Sequence, residues 1–271
     1  MITADLHVHS EFSSDGKAAM EDVIEQGIKL GLKTICFTDH IDYDYPSIYN
    51  YTFELKTDDY LKKLEIMKER YKSRIEILTG IELGIQPHII DRLDALVSKY
   101  PFDFIIGSVH VVDNMDPYFK EYWENRTEED GILRCFKAVK ESCENFQEFH
   151  VCGHIDYIIR YAPSTKTSYK EYSYSYYKDV LDEILRTVIK HQKGIEVNTS
   201  GYKYGLGHPH PKTEIIKRYK ELGGEVITIG SDAHKPEHLC YDFDKAESLL
   251  KECGFNYYTI FRDGKPVMIK L

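Results

Sequence analysis

Seven short apolar segments of this chain run into histidine, aspartate or glutamate, and no other feature constrains its fold as tightly. The segments are Ile2–His7, Thr34–Thr38, Glu76–Ile81, Phe104–Ser108, Phe149–Gly153, Gly194–Asn198 and Val226–Gly230. Most are rich in Ile, Val and Phe, as strands buried on both faces are. Between them lie stretches with apolar residues at helical spacing: Met20–Leu30, ended by Gly31; Asp58–Tyr71; His88–Ser98; Glu128–Asn145; Tyr169–His191; Lys212–Leu222; and Phe243–Glu252. Repeated strand–helix units predict an α/β fold built on a parallel sheet or a barrel. Seven such units are one short of the eight-fold barrel. Tyr257–Phe261 and Pro266–Lys270 flank Asp263-Gly264 and predict a hairpin, which packs on the outside or closes the gap.

The polar ends of these segments carry the chemistry. They are Asp5-Leu6-His7-Val8-His9, Thr38-Asp39-His40, Gly80-Ile81-Glu82, Gly107-Ser108-Val109-His110, Gly153-His154-Ile155-Asp156, Glu196-Val197-Asn198-Thr199 and Gly230-Ser231-Asp232-Ala233-His234. In a barrel of parallel strands all the C-terminal ends meet on one face, where active sites of such enzymes lie. Burying so many ionisable groups without partners would cost several kcal/mol each. Divalent cations remove that cost, because imidazole and carboxylate are their natural ligands. His7 and His9 are two apart on a strand and so point the same way. One such pair is weak evidence, since satisfied core histidines look alike; seven polar strand ends in one chain are not explained that way.

Composition narrows the function. The net charge is −10 over 271 residues, which argues against a dedicated nucleic-acid binder, whose footprint is basic. A phosphate substrate remains compatible, because bound cations supply local positive charge. No apolar run approaches the ~18 residues of a membrane span. The six cysteines include no Cys-x-x-Cys pair and read as reduced core thiols, which with the strand-like start at Met1-Ile2-Thr3 implies a cytoplasmic protein without a signal peptide. No linker or internal repeat divides the chain, so residues 1–271 read as one domain with a hairpin-like tail over about 257–271.

Asp5-Leu6-His7-Val8-His9-Ser10, then Ser14-Asp15-Gly16, Thr38-Asp39-His40 and Gly230-Ser231-Asp232-Ala233-His234 resemble, in this order and over the whole chain, the PHP (polymerase and histidinol phosphatase) family. The resemblance implies a distorted seven-stranded (β/α)7 TIM-like barrel with two to three divalent ions (zinc, iron or manganese) at the strand ends. It implies one ion on His7, His9, Glu82 and Asp232, a second sharing Glu82 and adding His110 and His154, and a third on Asp15, His40 and His234. Within the family, Gly107-Ser108-Val109-His110, Gly153-His154-Ile155-Asp156-Tyr157 and Glu196-Val197-Asn198-Thr199-Ser200-Gly201 are most similar to the stand-alone histidinol-phosphate phosphatases. That likeness implies hydrolysis of a small cationic phosphomonoester, L-histidinol phosphate. The alternatives are another phosphoesterase of the family, acting on phosphotyrosyl protein or a nucleotide diester, and a metal-binding module without catalysis.

Arg160 lies six residues past His154, and its guanidinium fork suits phosphate oxygens; a surface salt bridge is the plainer alternative. Asp42, after Thr38-Asp39-His40, could accept a hydrogen bond from the substrate's cationic group, or simply serve its loop. Asp39 and Asp156 are placed to orient ligand histidines. His208 and His210 sit in Gly207-His208-Pro209-His210-Pro211, either touching substrate or serving a rigid loop.

Overall fold

The computed structural model describes residues 1–163 and 172–271. Its frame is seven parallel strands, β1 (Ala4–Val8), β2 (Thr34–Phe37), β4 (Glu76–Gly84), β5 (Phe104–Ser108), β6 (Val151–Cys152), β7 (Gly194–Asn198) and β8 (Ile227–Gly230), bonded in that order; a short β3 (His40–Ile41) pairs with β4. The two ends of the row meet. The Asp232 N–H donates to the His7 carbonyl at 2.8 Å, the His9 N–H donates to the Ala233 carbonyl at 2.9 Å, and Val8 pairs with Ala233 in parallel. Seven strands thus close the wall, and the fold is the distorted (β/α)7 barrel that the sequence predicts.

The distortion centres on β4. Its first half pairs with β2, Glu76 to Thr79 against Thr34 to Phe37. Its second half pairs with β3 and with β5. β4 runs three residues beyond Ile81, where the sequence reading stops it, and β3 was not foreseen. The charged Glu82 and then Gly84 interrupt the apolar pattern that marks a strand, and a two-residue strand has no pattern to read.

The hairpin of β9 (Tyr257–Arg262) and β10 (Lys265–Lys270) does not complete the wall. It lies across the N-terminal ends of the strands. Arg262 grips Glu76 at the start of β4 with two hydrogen bonds of 2.6 and 2.8 Å. Phe261 stacks on Phe104 at the start of β5, with centroids 5.2 Å apart, and Thr259 Oγ1 accepts from the Ile227 N–H.

Helices cover the wall. Met20–Lys29 and Thr57–Tyr71 bury Met20, Val23, Ile24, Tyr60, Leu64 and Met67 against β1 and β2. Glu128–Asn145 starts where the Thr127 side chain accepts from the Asp130 N–H, below an acidic first turn that suits the helix dipole. The helix expected over 169–191 is found as Lys178–Lys190, preceded by a single 3₁₀ turn at Tyr174–Tyr176; its expected start at 169–171 lies outside the described residues. Among the described residues no helix is long and apolar enough to cross a membrane.

Candidate metal centre

His7, His9, Asp15, His40, Glu82, His110, His154, Asp232 and His234 converge at the C-terminal mouth of the barrel. Glu82 on β4 is fully buried at its centre. Its Oε2 lies 3.1 Å from His7 Nε2, 3.0 Å from His40 Nδ1 and 3.5 Å from His9 Nε2. Its Oε1 lies 2.9 Å from His154 Nε2 and 3.3 Å from His110 Nε2. Asp232 Oδ1 lies 3.4 Å from His9 Nε2 and 3.5 Å from His234 Nδ1. Asp15 Oδ2 lies 3.1 Å from His234 Nε2 and 3.9 Å from His40 Nε2.

Each of four sets, His7–His9–Glu82, Glu82–His110–His154, His9–His40–His234 and His40–Asp42–His110, has its donor atoms within 4.8 Å of one another. The first two share Glu82. His9 Nε2, His40 Nδ1 and His234 Nε2 are buried yet make no hydrogen bond, although carboxylate oxygens stand close by. Leaving a buried polar atom unpaired costs about 1–3 kcal/mol. A cation between these atoms removes that cost, so the donor set fits divalent metal by its own geometry and chemistry.

A further layer of groups holds these side chains in place. Glu196 Oε1 accepts from His7 Nδ1 at 2.6 Å, and Glu196 Oε2 accepts from the His154 N–H at 3.0 Å. Asp42 Oδ1 accepts from His110 Nδ1 at 2.7 Å. Ser108 Oγ donates to Glu82 Oε1 at 2.7 Å. Asp39 acts through Ser13, whose Oγ donates to it at 2.7 Å and lies 3.1 Å from His9 Nδ1. A carboxylate on the far nitrogen fixes a ring's tautomer and aim. Asp156 departs from its expected role. It binds His210 Nδ1 at 2.5 Å, with the Tyr172 hydroxyl and the Lys212 N–H, and no member of the cluster. Glu196 was legible only as part of a strand-end motif, and nothing in its letters pointed to His7.

Charge within the cluster is strongly coupled. Burial works against ionisation of Glu82 and Asp232, but neighbouring imidazoles, His7 foremost, overcome it and hold both acids well below their usual range. Burial would also lower His7, yet Glu196, Glu82 and Asp232 raise it. His9 is lowered by burial and by His234 and His40, which favours the neutral, metal-ligating form.

Beside the cluster opens a cavity of about 300 Å³. Arg160 lines it, surrounded by the rings of Tyr157, Tyr161 and Tyr204 at 5.5, 4.7 and 3.7 Å. Its guanidinium donates to the Tyr161 hydroxyl, and no carboxylate pairs with it among the described residues. Asp42 also lines the cavity, with Oδ1 committed to His110. Asp116, which the sequence reading does not single out, is buried there, accepting from the Tyr45 hydroxyl at 2.5 Å and the Tyr118 N–H at 2.7 Å. His208 and His210 are buried and do not line the cavity.

A closed βα barrel with buried histidines and carboxylates gathered at its mouth defines the class of metal-dependent barrel hydrolases. The PHP domain family matches residues 5–200. A histidinol-phosphatase of Lactococcus lactis is 30% identical over 96% of this chain and 95% of its own length. A Thermotoga maritima protein named "Probable histidinol-phosphatase" is 33% identical over 98% and 99%. The crystal structure of the Lactococcus lactis histidinol phosphate phosphatase, complexed with zinc, L-histidinol and phosphate, superposes with a TM-score of 0.89 at 29% identity, covering 98% of each chain. The chain belongs to the PHP family.

Proposed function

We infer that this chain is a metal-dependent phosphomonoester hydrolase that converts L-histidinol phosphate to L-histidinol and phosphate. The observation that carries the reading is the cavity. It joins the metal donors to a half-buried cation, Arg160, with which no carboxylate pairs among the described residues, and to a buried acid, Asp116. A ligand suited to it carries a phosphate and, on the alcohol side, a positive charge. The relative's complex with zinc, L-histidinol and phosphate supports the same choice.

The metal assignment is part of the proposal. Two to three ions of zinc, iron or manganese are held, the first by His7, His9, Glu82 and Asp232, the second by Glu82, His110 and His154, the third by Asp15, His40 and His234. When bound, such ions activate water near neutral pH and neutralise phosphoryl charge. Glu196 and Asp42 aim His7 and His110, so Nε2 of each faces the cluster. Ser108 fixes the rotation of Glu82. Arg160 presents two parallel N–H groups to the phosphoryl oxygens. Asp116 receives the cationic end of the alcohol, beside the tyrosines that wall it from water. The net charge of −10 favours such a cationic alcohol over nucleic acid. We read residues 1–271 as one barrel domain carrying its hairpin, and its reduced thiols as those of a cytoplasmic enzyme.

Phosphate release measured on L-histidinol phosphate, p-nitrophenyl phosphate and phosphotyrosine, together with nucleotide monophosphate release from a nucleotide diester, tests the reading. The expected result is a clear preference for L-histidinol phosphate in kcat/KM, abolished by prolonged chelation and restored by added metal. A higher kcat/KM for the diester or phosphotyrosine would replace the substrate, and activity surviving chelation would remove the mechanism.

A further inference from the structure

Two carboxylates of the centre each reach a histidine that stands two strands away. Asp42 follows β3 and binds His110, which follows β5; β4 lies between them. Glu196 on β7 binds His7 on β1; β8 lies between them. Neighbouring strands are about 4.8 Å apart, so each bond crosses roughly 10 Å of wall. Any side chain of the middle strand on the same face would stand in the way.

In both crossings the middle strand carries a glycine at that place. β3 and β4 pair His40 with Glu82 and Ile41 with Leu83, so the next rung sets Asp42 beside Gly84. A Cβ placed on Gly84 would fall inside the Asp42 side chain, whose Oδ1, Cγ and Cβ are its three nearest atoms. On β8, Gly230 pairs with Asn198 of β7. A Cβ placed there would lie 2.6 Å from Glu196 Oε1 and would also overlap His7 Cβ. Neither glycine has a positive φ. Their backbones would accept any residue, and what the site requires is empty space.

We propose that Gly84 and Gly230 are positioning residues of the metal centre, each leaving the gap through which a carboxylate on one strand orients a histidine two strands on. This rests on the metal assignment above. Filling the gap displaces the carboxylate, frees the ring's Nδ1 and lets its Nε2 turn away. Losing such an orienting partner typically weakens metal binding about 10- to 100-fold.

The test compares full-length Gly84→Ala, Asp42→Ala and the double variant. Zinc affinity is read by competition with a chromogenic chelator, and the metal-free fold by circular dichroism and thermal unfolding. Each single variant is expected to bind at least one zinc about 10- to 100-fold more weakly than wild type. The double variant is expected to match Asp42→Ala, because the new methyl occupies the space that the carboxylate vacated. Folding of the double variant when Gly84→Ala alone fails to fold would likewise support the clash. Gly230→Ala should lose zinc without rescue by Glu196→Ala, since its methyl still meets His7. Wild-type affinity in Gly84→Ala would overturn the proposal, as would a double variant weaker than Asp42→Ala by a second full factor, or one that fails to fold while Asp42→Ala folds. Wild-type protein that takes up no zinc, iron or manganese would overturn the metal assignment itself, and is distinguished by needing no variant.

Discussion

The Arg160 guanidinium lies 3.7 Å from the centre of the Tyr204 ring, nearer than to either of the two other tyrosines around it. A cation over an aromatic face is held by the ring quadrupole, and the N–H groups of Arg160 that do not reach Tyr161 stay available for another partner. Arg160→Met should therefore leave metal content and folding unchanged. It should lower kcat/KM about 30- to 1,000-fold, the loss of a charge-assisted bidentate contact worth about 2–4 kcal/mol. Arg160→Lys should recover only part, because the ammonium keeps the charge and loses the fork. Tyr204→Leu should fall between wild type and Arg160→Met. Wild-type steady-state kinetics in Arg160→Met would return Arg160 to a packing role.

Glu82 faces histidines with both oxygens, so its loss should be felt on two sides of the cluster. Glu82→Gln is expected to retain fewer ions per chain than His40→Ala when both are dialysed against the same chelator and measured by elemental analysis. Equal metal content in Glu82→Gln and wild type would disprove the shared position.

Asp116 should matter for the alcohol and not for the phosphate. Asp116→Asn is expected to raise KM for L-histidinol phosphate about tenfold or more, the scale of one hydrogen bond to a charged group. Its kcat/KM for p-nitrophenyl phosphate should change little. A parallel loss on both substrates would place Asp116 in the support of the cavity wall through Tyr45.

His150 gives a pH dependence that is separate from the metal. Burial, aided by Lys193, lowers it from 6.5 to about 4, and its Nδ1 accepts the Ile105 N–H at 2.9 Å, a bond that needs the neutral ring. Between these two values the unfolded chain binds a proton that the folded chain refuses. Stability is therefore full above about pH 6.5 and falls as pH drops toward 4, by about 2–3 kcal/mol at the low end. His150→Asn, which keeps an acceptor, should show a smaller change in urea midpoint between pH 7 and pH 5 than wild type. A His150 ring that titrates near 6.5 by NMR would refute this.

The barrel was legible because fully buried parallel strands write themselves as apolar runs, and because a strand's polar end stands out against such a run. His7, Glu82 and Asp232 could be found that way. Asp15 was legible only through its motif, since it stands outside the strands. Glu196 was visible and its partner was not, because that bond joins β7 to β1 across β8, a relation that only a closed wall creates. Asp116 and Tyr45 were silent for another reason: their pairing depends on how two long loops fold over the mouth, and no periodicity governs a loop. Asp156 was misjudged because its position after His154 suggested a shared purpose, whereas its carboxylate is taken up by His210, Tyr172 and the Lys212 N–H, partners far along the chain that no local spacing announces.

The seam between β1 and β8 has a consequence for synthesis. His7 and His9 leave the ribosome more than two hundred residues before Asp232 and His234. A nascent chain carries the early donors with the seam still open until β8 follows, and the bond from the Asp232 N–H to the His7 carbonyl cannot form before then. The donor set is thus complete only after β8 has been made, and closing the seam joins residues more than two hundred positions apart in a single ring.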